Sequence, residues 1–200
     1  MSQDSRICFL GDSFVNGTGD SSYLGWTGRV CAALTATGRS ITSYNLGIRG
    51  ETSLALAQRW QAEATRRFAP GADNRLVFCF GTNDTTWQQG RVRIDLAHTL
   101  THSRQILSVA RTLAPVLLVS PPPIADPAQN QRSQRLCQGL QDLCAELSVP
   151  YIDAFTPLQQ SVIWMTQVQA GDGVHPQAPG YEEWARQILY HPVWQQWMTS

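Results

Sequence analysis

A serine stands in Gly11-Asp12-Ser13, directly after an apolar run, and an imidazole stands in Asp172-Gly173-Val174-His175-Pro176 near the other end of the chain. A hydroxyl becomes an effective nucleophile when an imidazole takes its proton and a carboxylate holds that imidazole in one tautomer. Ser13, His175 and Asp172 supply these three groups. Acyl transfer further requires N–H donors aimed at the oxygen that becomes negative. The backbone N–H of Ser13, the backbone N–H of Gly50 and the side-chain amide of Asn83, in Gly81-Thr82-Asn83-Asp84, can form that oxyanion hole. Gly47 is a neighbouring alternative to Gly50.

Other spacings compete with this reading. Asp95-x-x-His98 repeats the acid–imidazole spacing, but it lies inside a helical pattern, where such a pair is ordinarily solvated. Asp172 and His175 instead sit among glycine and proline, on a loop free to approach other segments. His98 and His102 are four apart, a spacing that can hold zinc, but the glutamate of His-Glu-x-x-His is missing and no third ligand is near, so no metal site is assigned. Gly17-x-Gly19 has Ser22 where a dinucleotide-binding loop needs its third glycine. Trp184, Trp194 and Trp197 are read as packing residues rather than an exposed dimer face, and Arg49, Trp26 and Trp87 flank the candidate site.

The elements that must position these groups are legible in the hydrophobic pattern. Short runs at Ile7–Leu10, Ile41–Leu46, Leu76–Phe80, Val116–Val119 and Val149–Ile152 read as strands, mostly continuous as expected for strands buried on both faces. Helical patterns run over Trp26–Thr37, Thr52–Phe68, Arg91–Leu113, Asn130–Leu147 and Ala178–Tyr190, with Thr52 as an N-cap and Gly38 at a helix C-terminus. The alternation predicts an α/β fold with a parallel sheet, in which ligands bind beyond the carboxyl ends of the strands. Gly11-Asp12-Ser13, the Gly50 stretch and Gly81–Asp84 each follow a strand, and the Asp172–His175 loop can fold back onto the same edge.

Composition narrows the chemistry. The chain has 200 residues, fifteen basic against fifteen acidic, with 42% hydrophobic residues, and every basic residue is arginine. The absence of lysine excludes a phosphate-loop nucleotidase, a pyridoxal Schiff base and a Ser-x-x-Lys nucleophile. Zero net charge without a basic run points away from nucleic acid. No linker or repeat is visible, so residues 1–200 are expected to form one domain. The apolar runs are too short to span a membrane, and the polar start leaves no room for a signal peptide. Five scattered cysteines read as reduced core residues, and together these features predict a cytoplasmic protein. Monomer and homodimer both fit.

The blocks Gly11-Asp12-Ser13, the stretch around Gly50, Gly81-x-Asn83-Asp84 and Asp172-x-x-His175-Pro176 occur in the order found in the SGNH hydrolases, or GDSL esterases and lipases, which the chain resembles from Ile7 to about Tyr181. Phe14 follows the serine where leucine is more usual. The resemblance implies Ser13 as nucleophile, Asp172 and His175 as its partners, and Gly50 and Asn83 as oxyanion donors. It also implies a flavodoxin-like three-layer α/β/α sandwich, a five-stranded parallel sheet of order 2-1-3-4-5, and no metal or organic cofactor. The expected activity is hydrolysis of a small-molecule carboxylic ester through an acyl-enzyme. Two alternatives keep the same scaffold: an acyltransferase, and a non-catalytic carbohydrate- or lipid-binding module.

Overall fold

The computed structural model describes residues 4–199. In chain order the elements are β1 (Ser5–Gly11), α1 (Ser13–Asn16), α2 (Gly25–Ala36), β2 (Ile41–Gly47), α3 (Ser53–Thr65), β3 (Asp73–Cys79), β4 (Trp87–Gln88), β5 (Arg91–Val92), α4 (Leu96–Ala110), β6 (Val116–Val119), α5 (Pro127–Leu147), β7 (Tyr151–Ile152), α6 (Phe155–Gln160), α7 (Val162–Ala170), α8 (Ala178–Tyr190) and α9 (Pro192–Trp197).

Five strands form one parallel sheet in the order β2-β1-β3-β6-β7. Leaving aside the small β4–β5 hairpin, this is the expected order 2-1-3-4-5. Successive side chains of a strand point to opposite faces, and here both faces are covered. Ile7, Phe9, Val77, Cys79, Leu117 and Val119 pack in one apolar cluster with residues of α2, α7, α8 and α9. Cys8, Leu10, Leu76, Phe78, Val116 and Leu118 pack in the other with α3, α4 and α5. That two-sided burial is why β1, β3 and β6 read as continuous apolar runs, while the edge strand β2 does not. All five cysteines are buried and free. Trp184, Trp194 and Trp197 are buried as well, as their packing role requires.

Several boundaries differ from the sequence reading. The pattern at Arg91–Leu113 becomes a helix only at Leu96, because Asp95 caps it by accepting the His98 N–H at 2.9 Å. Before that cap, Trp87–Gln88 pairs with Arg91–Val92 across a two-residue turn in which both Gln89 (φ 53) and Gly90 (φ 77) are left-handed, as a tight hairpin demands. Helix α5 starts at Pro127, under the Asp126 cap, rather than at Asn130. Thr52 does cap α3, accepting from the Ala55 N–H. The last sheet strand shrinks to Tyr151–Ile152, although the carbonyl of Pro150 still accepts the Leu118 N–H. No helix among the described residues is long and apolar enough to cross a membrane.

The register aligns Gly11 with Gly47 on one side and with Cys79 on the other. Strands β2, β1 and β3 therefore end together, and the segments that follow them open at one edge.

Candidate active site

Ser13 is held at the carboxyl end of β1 as the first residue of α1. Asp12 caps that helix, its Oδ1 accepting the Phe14 N–H at 3.0 Å. A residue at the first helical position has no intrahelical acceptor for its N–H, so the Ser13 amide is spared by the helix ladder. Asn45 on β2 donates to the Val15 carbonyl at 2.7 Å and binds the short helix to the sheet. Phe14 enters an aromatic cluster, with ring centroids 6.2 Å from Trp164, 6.3 Å from Trp184 and 5.1 Å from the His175 imidazole. The exchange of leucine for phenylalanine thus gives the imidazole an aromatic wall.

The loop after α7 delivers the imidazole. Asp172 Oδ1 accepts the N–H groups of Val174 (2.9 Å) and His175 (2.7 Å), which folds the loop so that Asp172 Oδ2 lies 2.7 Å from His175 Nδ1. His175 Nε2 lies 2.7 Å from Ser13 Oγ. The Ala125 N–H pins the loop by donating to the Gly173 carbonyl, and the Tyr181 hydroxyl donates to the Thr18 carbonyl. Gly19 permits the close approach: it has φ +91, and a Cβ there would meet the Pro176 carbonyl oxygen at 2.7 Å. Partial burial works against ionisation of Asp172, but the donors from His175 and Val174 outweigh it and draw the carboxyl down to about 2. A carboxylate at Nδ1 selects the Nδ1–H tautomer and leaves Nε2 as an acceptor facing the serine.

The two other loops approach from neighbouring strands. Residues 48–51 form a turn closed by the Glu51 N–H on the Ile48 carbonyl at 3.2 Å, with Gly50 at φ 74 in the position where this turn requires a left-handed residue. The N–H of Gly47 is engaged with Asn45 Oδ1 at 3.1 Å, whereas that of Gly50 has no acceptor among the described residues. Asn83 donates from Nδ2 to Asp12 Oδ2 at 3.3 Å. Its neighbour Asp84 is buried and accepts the Ser53 N–H at 3.0 Å, the Ser53 hydroxyl and the Thr99 hydroxyl at 3.0 Å, fastening the Asn83 loop to the starts of α3 and α4.

Three carboxylates that the sequence pattern does not single out, Asp12, Asp84 and Glu51, are buried behind the site. Burial pushes Asp12 up to about 7; the Phe14 N–H opposes this, while the Asp84 and Glu51 carboxylates add to it. Asp84 is also raised, by burial first, against the donors from Ser53 and Thr99. Glu51 pairs with Arg59, whose guanidinium also donates to the Leu46 carbonyl at 2.7 Å and so anchors the end of β2. Asp12 and Asp84 leave little sequence signal, because Asn83 and Ser53 meet them across 71 and 31 residues.

The competing spacings separate cleanly. Asp95 and His98 share a hydrogen bond but stand exposed on the rim of a different cleft, and His102 pairs with the Ser53 hydroxyl at 2.9 Å. Among the described residues no cluster of three or more His, Cys, Asp or Glu could hold a metal ion. Trp26 is wholly buried, stacked on Trp184, and Trp87 is exposed on the hairpin. Arg49 lines an open cleft of about 480 Å³ with Asn16, Gly19, Asp20, Tyr23 and Asn45, beside α1.

A serine hydroxyl, an imidazole and a carboxylate in series at the carboxyl edge of a 2-1-3-4-5 parallel sheet describe a serine hydrolase of the α/β class. Residues 9–183 match the family model for GDSL-like lipases and acylhydrolases, and the chain belongs to that family of ester-hydrolysing enzymes. Among solved structures, it is similar to a mutant of Axe2, an acetyl-xylooligosaccharide esterase from Geobacillus stearothermophilus (20% identity, TM-score 0.77, covering 94% of each chain). It is also similar to a lipase/acylhydrolase from Enterococcus faecalis (22% identity, TM-score 0.73, covering 92% of this chain and 93% of that one). A member of the lipolytic G-D-S-L family from Veillonella parvula is comparable (22% identity, TM-score 0.73, covering 92% and 96%). At these identities the likeness is one of fold. No curated protein matches the chain.

Proposed function

We propose that the chain, as a single hydrolase domain, cleaves a carboxylic ester of a small or medium acyl group by a Ser13–His175–Asp172 triad. His175 Nε2 takes the Ser13 proton as the oxygen attacks the ester carbonyl. The ionised Asp172 holds the ring and stabilises the imidazolium that forms. The developing oxyanion is received by the N–H of Ser13, the N–H of Gly50 and Asn83 Nδ2. His175 then protonates the departing alcohol, leaving an acyl-enzyme on Ser13. Water, activated by the same imidazole, releases the acid and restores the serine.

The observation that carries this reading is the unbroken chain of two 2.7 Å contacts, from Ser13 Oγ to His175 Nε2 and from His175 Nδ1 to Asp172 Oδ2. The unengaged Gly50 N–H supports its place in the oxyanion hole over Gly47. The structures similar to this chain include forms of Axe2 in which a serine, a histidine or an aspartate is replaced by alanine, each described as a catalytic mutant.

The test is turnover of p-nitrophenyl esters of increasing acyl length. The intact protein should hydrolyse the short esters, and Ser13→Ala should lose roughly 10⁴-fold or more in kcat while keeping its circular dichroism spectrum. Retention of near-normal turnover by a folded Ser13→Ala protein would remove the serine from the mechanism.

A further inference from the structure

Arg93 lies just beyond the hairpin, in the segment that the hydrophobic pattern assigned to a helix. Its Nη2 donates to the Gly50 carbonyl at 2.9 Å, and its Nη1 donates to Asn83 Oδ1 at 3.4 Å. One guanidinium therefore spans the loop after β2 and the loop after β3, the two that carry the outlying oxyanion donors. Its own segment is fixed to the same loop: the Arg93 N–H donates to the Thr86 carbonyl at 3.0 Å, and the Ile94 N–H donates to the Asp84 carbonyl at 3.1 Å. Arg93 has no ion-pair partner among the described residues, so its two side-chain bonds go to the site loops.

We propose that Arg93 is a positioning residue of the oxyanion hole, setting the Asn83 amide and the Gly50 turn at once. The proposal rests on the assignment of those two groups as donors. An asparagine amide is nearly symmetrical in shape, and only its neighbours decide whether nitrogen or oxygen faces a given point. The carboxyl of Asp12, against Asn83 Nδ2, does not decide this alone: when ionised it only accepts, but when protonated it can also donate. A guanidinium is always charged and only donates, so it claims the amide oxygen and directs Nδ2 away from itself. The second arm of the fork holds the Gly50 carbonyl, which restrains the turn in which the Gly50 N–H stands unengaged. A lysine, with one compact ammonium, cannot reproduce two divergent donors fixed in one plane.

A double-mutant cycle on p-nitrophenyl acetate tests this, with Arg93→Met, Arg93→Lys, Asn83→Ala and the combined Arg93→Met/Asn83→Ala protein, alongside thermal melts of each. Asn83→Ala should lower kcat by ~10²–10³. Arg93→Met should lower kcat by roughly 10–10² with KM changed less than about twofold, and Arg93→Lys should not restore it. In the Asn83→Ala background the Arg93→Met effect should shrink severalfold, because the amide it positions is gone. Unchanged kcat in a folded Arg93→Met protein, a rise in KM alone, or full additivity with Asn83→Ala would overturn the proposal. Failure of the triad itself is distinguishable, since it would show as an active Ser13→Ala protein whatever Arg93 does.

Discussion

Asp95–His98 and Asp172–His175 are nearly the same object locally. In each, the aspartate Oδ1 accepts the backbone N–H of the histidine three residues on, at 2.9 and 2.7 Å, and Oδ2 lies 2.7 Å from the ring Nδ1. Both carboxyls are drawn below their ordinary range, chiefly by the histidine donors at Asp95 and by the same donors against partial burial at Asp172. The difference lies in what the far ring nitrogen meets. The His98 side chain is 71% exposed at a helix start, whereas that of His175 is 9% exposed, walled by Phe14, with Nε2 on the Ser13 hydroxyl. An Asp-x-x-His spacing therefore builds an oriented imidazole by local hydrogen bonding. Only the fold sets a serine hydroxyl against that imidazole.

A second comparison sharpens this. Ser53, His102 and Asp84 bring the same three side-chain types into contact, but Asp84 takes the Ser53 hydroxyl directly while His102 approaches the same oxygen. The carboxylate holds the serine proton rather than the ring, Ser53 is fully buried, and the cluster fastens α3 and α4 to the Asn83 loop. The order of the contacts separates this structural cluster from the proposed proton-transfer chain.

The largest contrast should come from the two aspartates. Among the described residues Asp172 is the only acceptor at His175 Nδ1, so Asp172→Asn should reduce ester turnover by on the order of 10³–10⁴, through the wrong tautomer. Asp95→Asn should leave turnover unchanged. Matching losses, or none in Asp172→Asn, would erase the distinction, and steady-state kinetics on one ester measure both.

How far each region could be read from the chain follows from the range of its contacts. Strands buried on both faces announce themselves as apolar runs, and Asp172–His175 stands out because glycine and proline surround it. The hairpin was hidden because Val92, Leu96 and Leu100, four apart, also fit a helical stripe until Asp95 is seen as a cap. α6 and α7 lack a clear polar–apolar alternation, and Val162 and Ile163 remain exposed. The supports of the proposed oxyanion loops were illegible for another reason: Asn83 meets Asp12 across 71 residues and Arg93 meets Gly50 across 43, and no local spacing encodes such pairs.

The smaller effect concerns stability against pH. Folded Asp12 keeps its proton up to about 7, against an ordinary value of 3.8, so between those values the folded chain binds more protons than the unfolded one. Its contribution makes stability fall as pH rises through that window. Asp172 acts oppositely: with its carboxyl at about 2, it stabilises above 3.8 and that contribution is lost as pH falls toward 2. Thermal melts from pH 4 to 7 should show a flatter decline in Asp12→Asn than in the unaltered chain. Parallel curves would place the titration elsewhere.

The most direct measurement is covalent capture with a fluorophosphonate, followed by peptide mapping and rates for the unaltered, His175→Ala and His98→Ala proteins. Modification is expected at Ser13, slowed by orders of magnitude in His175→Ala and unchanged in His98→Ala. Modification at Ser53, or no modification of the folded, unaltered protein, would contradict it.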